Sequence, residues 1–277
     1  MERVSGKVAF ITGAAHGQGR SHAVRLAEEG ADIIAVDICE DIASVPYPLG
    51  TMAELKETAA MVEKLDRRIV IRKADVRSRE QLDAAVADGI AELGKIDIVC
   101  ANAGIWSTDP FNEMTDEAYF DGIDVMQHGV FHTCRATLPH LVERGEGGSI
   151  VITSSTAGVK GYPYLAHYSM AKHAVIGLMR TLANEFGPQM IRVNCILPTS
   201  TLTPMINNVG MWQRFAPEAE NPTLEDFGAT LQAWHSLPVP YNEPVDISNA
   251  VLWLASDEAR HVNGICLPVD AGFLEKI

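Results

Sequence analysis

The sequence predicts an α/β fold, with one parallel sheet flanked by helices on both faces of a single doubly wound domain. Short apolar runs without polar alternation, such as VAFIT and ADIIAVDI, are typical of strands that are covered on both sides. Stretches with helical periodicity separate these runs along the chain, which indicates βαβ units. No repeat, low-complexity tract or long linker interrupts the sequence, so residues 1–277 are expected to form one domain.

The predicted elements alternate in chain order. The apolar runs that we interpret as strands are VAFIT, ADIIAVDI, RIVIRKADV, IDIVCANAG, SIVITSS, MIRVNCILP and ICLPVDAG. Stretches between these runs are interpreted as helices at residues 20–29, 117–144, 168–186 and 246–255.

Two segments do not fit this alternation. Residues 39–58 carry the insertion VPYPLGT, in which Pro46 and Pro48 prevent a strand or helix from continuing. Residues 199–244 form a long connection, and connections of this length are usually lids or binding segments. We expect a substrate lid here for an apolar substrate, although core or oligomer contacts also suit its large side chains, which are Met205, Met211, Trp212, Phe215, Phe227, Trp234 and Tyr241.

The charge of the chain limits its partners. A net charge of −14 repels nucleic acid and anionic membrane surfaces, so neither is expected as a partner. No apolar run reaches the roughly 18 residues that a membrane helix needs. The first residues lack the layout of a signal peptide, so we expect a cytoplasmic protein.

The cysteines and histidines do not form a recognisable metal-binding or disulfide pattern. The five cysteines are scattered in mostly apolar contexts, which predicts buried free thiols. His128, His132 and Cys134 are close in sequence but lack an H-E-x-x-H or paired C-x-x-C motif, so no metal site is predicted. His16 and His167 are interpreted from their neighbours as solvated loop positions.

The end of the first predicted strand carries a glycine-rich turn, Thr12 to Gly19, that leads directly into a helix. Glycines allow backbone N–H groups to approach a pyrophosphate, and the helix N-terminus adds partial positive charge. Five residues separate Gly13 from Gly19 and Arg20 follows, whereas a P-loop needs four residues and then Lys-Ser/Thr. The turn therefore favours the dinucleotide site of a Rossmann domain.

Asp37 ends the second predicted strand, about 20 residues after the glycine turn. A carboxylate at this position can accept hydrogen bonds from the adenosine ribose and repels a 2′-phosphate. Ile38 follows it, where an arginine or lysine would attract that phosphate. NAD is therefore favoured over NADP, although a solvated acid at a strand end remains an alternative.

Tyr168 and Lys172 are four residues apart at the start of a predicted helix, which places both side chains on one face. Tyrosine has an ordinary pKa of about 10, so it acts as a base near neutral pH only where positive charge stabilises its phenolate. Ser155 follows the strand SIVITSS and can hold a substrate oxygen for Tyr168. The residues alone do not decide between Ser155 and its neighbour Ser154.

Together these motifs resemble the short-chain dehydrogenase/reductase family over nearly the whole chain. The resemblance implies a Rossmann domain that transfers hydride, with Ser155, Tyr168 and Lys172 as the catalytic set and Lys172 also on the nicotinamide ribose. It assigns Asp75 and Val76 to the adenine and Asn102, Ala103 and Gly104 to a stabilising motif. The implied cofactor-binding residues are Gly13, His16, Gly17, Gln18, Gly19, Asp37, Asp75, Val76, Asn102, Ala103, Gly104, Tyr168, Lys172, Thr201 and Thr203.

The VPYPLGT insertion and the segment Pro198 to Pro204 resemble a narrower group, the mycofactocin-associated, carveol dehydrogenase-like subfamily. That subfamily often has Pro-Thr, as here at Pro198 and Thr199, where the wider family has Pro-Gly. The resemblance implies a tightly held NAD that an external redox carrier, mycofactocin, reoxidises. It also implies a homotetramer.

The expected function is NAD-dependent interconversion of a secondary alcohol, cyclic and apolar, with its ketone, and Tyr168 acts as the general acid/base. One departure from the family is Met126, which occupies the place of an asparagine that helps to support a water path to the active-site lysine. Proton transfer then depends on a backbone carbonyl, or on Gln127 or His128. Met126 also supports the alternative function, a dinucleotide-binding sensor or scaffold without turnover.

Overall fold

A computed structural model describes residues 2–277 and places them in one seven-stranded parallel sheet with helices on both faces. This confirms the predicted fold class. The strands are β1 (Val8–Thr12), β2 (Asp32–Asp37), β3 (Ile69–Lys73), β4 (Ile98–Ala101), β5 (Gly148–Thr153), β6 (Ile191–Pro198) and β7 (Cys266–Val269). The helices are α1 (Gly17–Glu28), α2 (Met52–Glu63), α3 (Arg79–Leu93), α4 (Asp116–Ile123), α5 (Gly129–Arg144), α6 (Ala166–Phe186), α7 (Val209–Phe215), α8 (Leu224–Trp234) and α9 (Pro244–Ala255).

The spatial order of the strands, β3-β2-β1-β4-β5-β6-β7, reverses direction between β1 and β4. The chain first builds outwards from β1 to β3 and then returns to β4 on the other side of β1. In the register of the central strands, Ile11 of β1 lies beside Ala35 of β2 and Cys100 of β4. Connections leave in opposite directions at this switch point, which opens a crevice at the carboxyl ends of β1 and β4.

Each face of the sheet has its own apolar core. Phe10, Ile34 and Val99 belong to one buried cluster, whereas Ile11 and Ile33 belong to the other. Successive residues of a strand point to opposite faces, so a strand that is buried on both sides needs an unbroken apolar run. This explains why VAFIT and IIAVD lack polar alternation.

The predicted starts of several helices were wrong by a few residues. Helix α1 begins at Gly17, not at residue 20, because the second half of the glycine turn already has helical backbone. Helix α6 begins at Ala166, and α9 begins at Pro244, where the fixed φ of proline suits the first helical position. The stretch 117–144 is α4 and α5, which are joined by a π-helical turn over residues 124–128.

The two unusual segments contain more regular structure than was predicted. The irregular part of the 39–58 insertion ends at Thr51, which forms a capping box with Glu54 at the start of α2. The 199–244 connection contains α7 and α8, and Thr223 and Asp226 form a second capping box. Local side-chain to backbone hydrogen bonds fix these helix starts, and such bonds are easily missed where the apolar periodicity is weak.

Two predictions about burial were wrong. Cys39 and Cys266 are only half-buried, although Cys100, Cys134 and Cys195 are buried as expected and all five thiols are free. His167 is 1% exposed and lies on α6, so it is no solvated loop residue. In residues 2–277, no helix is both long and apolar enough to cross a membrane.

Candidate active site

A single cavity of about 860 Å³ lies at the carboxyl ends of the central strands, in the crevice at the switch point. Every candidate site residue predicted from the sequence lines it. The cofactor candidates among them come from the turns after β1, β2, β3, β4 and β6, and the proposed catalytic residues follow β5 or lie on α6. The fold thus brings together residues that are up to 190 positions apart in sequence, from Gly13 to Thr203.

The glycine turn fits the pyrophosphate of a dinucleotide. A Cβ atom on Gly19 would overlap the carbonyl oxygen of Gly13, so the turn closes only with glycine at that place. Gly17 has φ +55 and begins α1, where the free N–H groups of the first turn point into the cavity end. A dinucleotide's phosphates suit this cradle because it offers backbone donors and no opposing carboxylate side chain in the turn itself.

Asp37 is 6% exposed at the end of β2 and lines the cavity. Its Oδ2 accepts a hydrogen bond from the N–H of Ala15 at 3.0 Å, and its Oδ1 accepts one from the N–H of Cys39 at 3.0 Å. Each oxygen keeps a second lone pair for a ribose hydroxyl. The carboxylate is therefore held rigidly by the backbone, and it is not a solvated acid.

Asp75 and Val76 follow β3 and line the same end of the cavity. The Asp75 carboxylate pairs with the Arg77 side chain at 2.8 Å, and Arg77 also pairs with Asp121 at 2.9 Å. Val76 is buried against Gly129, at the start of α5. These contacts fix the wall on which a planar base would lie.

Asn102 connects three neighbouring strands. Its side-chain amide donates to the carbonyl of Thr12 at 3.1 Å, and its Oδ1 accepts from the hydroxyl of Thr153 at 3.2 Å. The backbone N–H groups of Asn102 and Ala103 both donate to the Thr12 hydroxyl at 3.1 Å. The ends of β1, β4 and β5 are therefore held in a fixed relation beneath the cavity.

Lys172 is buried beside Tyr168. Its Nζ donates to the carbonyl of Thr153 at 2.8 Å and lies 5.6 Å from the centre of the Tyr168 ring. Burial lowers the pKa of Lys172 to about 8, against a smaller opposite effect of Cys195. Because one carbonyl satisfies a single N–H, the other donors of the ammonium group are free to face a ligand.

The two serines after β5 have different surroundings. The Ser154 hydroxyl is 2% exposed and donates to the carbonyl of Lys172 at 2.8 Å, which ties the strand to α6. The Ser155 hydroxyl interacts with Tyr168 and accepts from the N–H of Ala157 at 3.1 Å. Burial raises the pKa of Tyr168, and the Ser155 hydroxyl partly opposes that rise. Ser155 therefore pairs with Tyr168, while Ser154 is occupied by the backbone.

The sequence profile of the short chain dehydrogenase family matches residues 7–214, which covers β1 to α7 and all the cavity residues discussed so far. The chain belongs to the short-chain dehydrogenase family.

Individual relatives match almost the full length of the chain. A (−)-trans-carveol dehydrogenase of Rhodococcus erythropolis is 51% identical over 98% of this chain and 99% of its own length. A crystal structure of carveol dehydrogenase from Mycobacterium avium in complex with NAD is 54% identical, with a TM-score of 0.98 over 100% of both chains. A short chain dehydrogenase from Mycobacterium paratuberculosis bound to NAD is 42% identical, with a TM-score of 0.89 over 99% of this chain and 100% of its own.

Met126 marks the departure of this short-chain dehydrogenase from the family pattern. Its side chain is fully buried in the π-helical turn. A Cβ atom on Gly104 would lie 3.7 Å from Lys172 Nζ and 3.9 Å from Met126 Cγ, so the two side chains approach the same point. His128 is exposed and bonded to Asp124 at 2.8 Å, and it does not line the cavity. The side chain that approaches Lys172 from the π-helical turn is therefore the apolar side chain of Met126.

Residues of the insertion that cover the cavity were not predicted from the sequence. Tyr47 is buried, and its hydroxyl accepts a hydrogen bond from the N–H of Trp106 at 3.0 Å. Ser44 donates to Asp121 at 2.6 Å, on α4. The insertion is thus attached to the segment after β4 at two points. The signal in the sequence that could have identified Tyr47 is its position between two prolines in VPYPLGT.

The far end of the cavity is lined by aromatic residues from the 199–244 segment and from the residues after β7. Phe215 lies 5.5 Å from Trp234, and Trp234 lies 6.3 Å from Phe273, measured between ring centres. Thr203 contacts the glycine turn, since a Cβ atom on Gly17 would lie 3.2 Å from its Cγ2. Phe273 was not predicted, because it follows the last strand and its sequence context carries no motif.

Proposed function

We propose that the protein oxidises a cyclic secondary alcohol, or reduces the corresponding ketone, with NAD and with Tyr168 as the general acid/base. The observation that carries this proposal is the arrangement of Ser155, Tyr168 and Lys172 in one cavity with the glycine turn and Asp37. A hydride acceptor and a proton acceptor are both required at the carbinol carbon. This cavity provides a place for each.

NAD is the cofactor that suits the described residues. The carboxylate of Asp37 is held where it accepts ribose hydroxyls and repels a 2′-phosphate. Asp75 adds a second carboxylate at the adenosine end. NAD-bound structures of similar short-chain dehydrogenases agree with this assignment.

The catalytic step follows from the positions of the side chains. Bound NAD⁺ supplies the hydride acceptor and a positive charge at the nicotinamide ring. The Ser155 hydroxyl holds the substrate oxygen, and the Tyr168 oxygen takes its proton. Because burial raises the pKa of Tyr168, the positive charge of Lys172 is needed to favour the phenolate. Thr153 keeps Lys172 in that position.

The substrate is a cyclic alcohol of terpenoid or steroid size. The carveol dehydrogenases among the relatives act on an alcohol of this kind, and Phe215, Trp234 and Phe273 provide apolar walls. Residues 199–244 act as the substrate lid. The insertion within residues 39–58 acts as a cover of the cofactor, supported by the hydrogen bond between Tyr47 and Trp106.

Further proposals rest on the subfamily resemblance. NAD stays bound between turnovers and is reoxidised by an external carrier, mycofactocin. The protein is a cytoplasmic homotetramer. Release of NAD on denaturation, from protein purified without added cofactor, tests the first point, and an empty site that exchanges readily contradicts it.

A single-turnover experiment tests the function. The NAD-loaded protein is mixed with a panel of cyclic secondary alcohols, and reduction of bound NAD is followed by absorbance. Tyr168→Phe is expected to slow the step by about 10² to 10⁴-fold, since it removes the general base. Tyr119→Phe, outside the cavity, is the matched control. Tight NAD binding with no reduction by any alcohol would instead favour the sensor or scaffold.

A further inference from the structure

The substrate end of the cavity carries a group of positive side chains. Lys160, Arg214 and Lys276 line it and are here called the cationic rim. They lie in three separate segments: after β5, at the end of α7, and after β7. The chain has a net charge of −14, so a local excess of positive charge at a ligand site runs against the bulk composition.

Aromatic contacts hold the cationic rim around the far end of the cavity. Lys160 Nζ lies 5.1 Å from the centre of the Phe273 ring, and the Arg214 guanidinium lies 3.8 Å from the centre of the Tyr164 ring. Lys276 Nζ donates to the carbonyl of His235 at 2.7 Å, and the His235 ring is 6.2 Å from Phe273. Lys160 and Lys276 thus lie near Phe273, and Arg214 stacks on Tyr164, which also lines the cavity.

Among residues 2–277, no acidic side chain forms an ion pair with a cation of this rim. The ion pairs formed within residues 2–277 involve none of the three side chains. The aspartates that line the cavity, Asp37 and Asp75, are both at the adenosine end. The carboxylate side chains that line the cavity therefore lie at the adenosine end, and the three side chains of the cationic rim lie at the substrate end.

A bound cofactor does not account for this division. Its phosphates belong at the glycine turn after β1 and at the N-terminus of α1, whereas Phe273 follows β7, the strand at the far edge of the sheet. A neutral hydrocarbon ring needs the aromatic wall and no charge. Positive side chains at the edge of that wall suit a ligand that is apolar in its body and negative at its end.

We propose that the preferred substrate is a cyclic secondary alcohol that carries a carboxylate at the end remote from the carbinol, and that the cationic rim binds this carboxylate. The proposal deepens the proposed function and rests on it for the position of the carbinol at Tyr168. The aromatic wall of Phe215, Trp234 and Phe273 contacts the ring skeleton. Because the rim is solvent-exposed, its attraction falls as salt screens the charges.

Matched acid and ester pairs test the proposal. The substrates are 4-hydroxycyclohexanecarboxylate and the longer 4-(4-hydroxycyclohexyl)benzoate, each compared with its methyl ester. At low ionic strength, we expect kcat/KM to be roughly tenfold higher for the acid of the better-fitting length. The preference is expected to appear in KM with little change in kcat, because the rim is remote from the reacting atoms.

Neutral variants identify the residues. Lys160→Gln, Arg214→Gln and Lys276→Gln, singly and together, are expected to raise KM for the acid and to leave the ester unchanged. Lys56→Gln, an exposed lysine on α2 outside the cavity, is the control and should change neither. Added salt should reduce the acid preference of the native protein and have little effect in the triple variant.

Binding is measured separately by calorimetry on NAD-loaded protein, with cyclohexanecarboxylate and its methyl ester as unreactive probes. Equal kcat/KM for acid and ester, or an acid preference that survives the triple substitution, overturns the inference and leaves the proposed function intact. A different outcome is that the acid binds more tightly than the ester, that this depends on the cationic rim, and that no alcohol is oxidised. That outcome supports the anion site and overturns the proposed function.

Discussion

The two ends of the cavity are built in different ways. The cofactor end is made by the backbone: Gly19 leaves no room for a side chain, and Asp37 is fixed by two N–H groups. The substrate end is made by large side chains, such as Trp234 and Phe273, on segments outside the central sheet. A site built from backbone tolerates few residue types, whereas a site built from side chains can be changed one residue at a time.

A matched pair of glycine substitutions gives the largest expected contrast. Gly19→Ala places a Cβ onto the carbonyl oxygen of Gly13, so we expect a loss of NAD affinity of more than about 4 kcal/mol. Gly161→Ala, near the substrate end, meets no atom within 4 Å and should leave NAD binding unchanged. Cofactor content after purification measures both. Normal NAD content in Gly19→Ala would contradict the expected difference in NAD binding between the two variants.

Acid sensitivity is expected beneath the cofactor end. His22 is fully buried in α1, its Nδ1 is 2.8 Å from the Ser248 hydroxyl, and its Nε2 has no hydrogen-bond partner. Burial lowers the pKa of His22 to about 4, below its ordinary value of 6.5. The neutral ring therefore stabilises the fold above pH 6.5, and about 3 kcal/mol of stability is lost as the pH falls from 6.5 to 4.

The unfolding midpoint in urea, measured from pH 7 to pH 4, tests this prediction. His22→Gln is expected to flatten the pH dependence, although it lowers stability at pH 7. His173→Gln, on the exposed surface of α6, should keep the native slope. An unchanged slope in His22→Gln would show that other groups dominate the acid response.

Cofactor choice is expected to depend on one carboxylate. Asp37→Asn keeps one acceptor oxygen, so only one of the N–H groups of Ala15 and Cys39 retains its partner, and it removes the charge that repels a 2′-phosphate. The ratio of NAD to NADP affinity should fall by roughly 10- to 100-fold, which corresponds to a charged hydrogen bond of about 1.5–3 kcal/mol. Asp75→Asn is the control, since it should weaken both cofactors alike. An unchanged ratio of NAD to NADP affinity in Asp37→Asn would show that another residue determines the cofactor selectivity.

The smallest expected effect is at the substrate end. Trp234→Leu removes ring contacts with Phe215 and Phe273 and is expected to cost about 0.5–1.5 kcal/mol in substrate binding. KM for a cyclic alcohol should rise a few-fold while NAD affinity stays constant. Phe120→Leu, an exposed position on α4, serves as the control. A change in NAD affinity with Trp234→Leu would mean that the two ends are not independent.

The difference between a cofactor end built from backbone and a substrate end built from side chains also explains which features could be predicted from the sequence. The glycine turn and Asp37 line the cavity as the sequence predicted, because backbone geometry restricts the residue types at those positions. The choice of Ser155 over Ser154 came from the family resemblance and not from the residues themselves, and it agrees with the structure, in which the Ser154 hydroxyl donates to the carbonyl of Lys172. His167 was misplaced because its burial depends on close packing against Gly122 and a hydrogen bond to Ser107, which are both distant in sequence.

Thr203 lies close enough to Gly17 to link the two ends of the cavity, since a Cβ atom on Gly17 would lie 3.2 Å from its Cγ2. Thr203 lies on the segment that leads to α7 and α8, and Gly17 opens the phosphate cradle. In the NAD-loaded protein, a movement of that segment that lifts Thr203 is expected to uncover the phosphate cradle as well. Amide hydrogen exchange in residues 13–19 and 201–215 should therefore occur in one cooperative opening, with a common protection factor, and not as two separate local fluctuations.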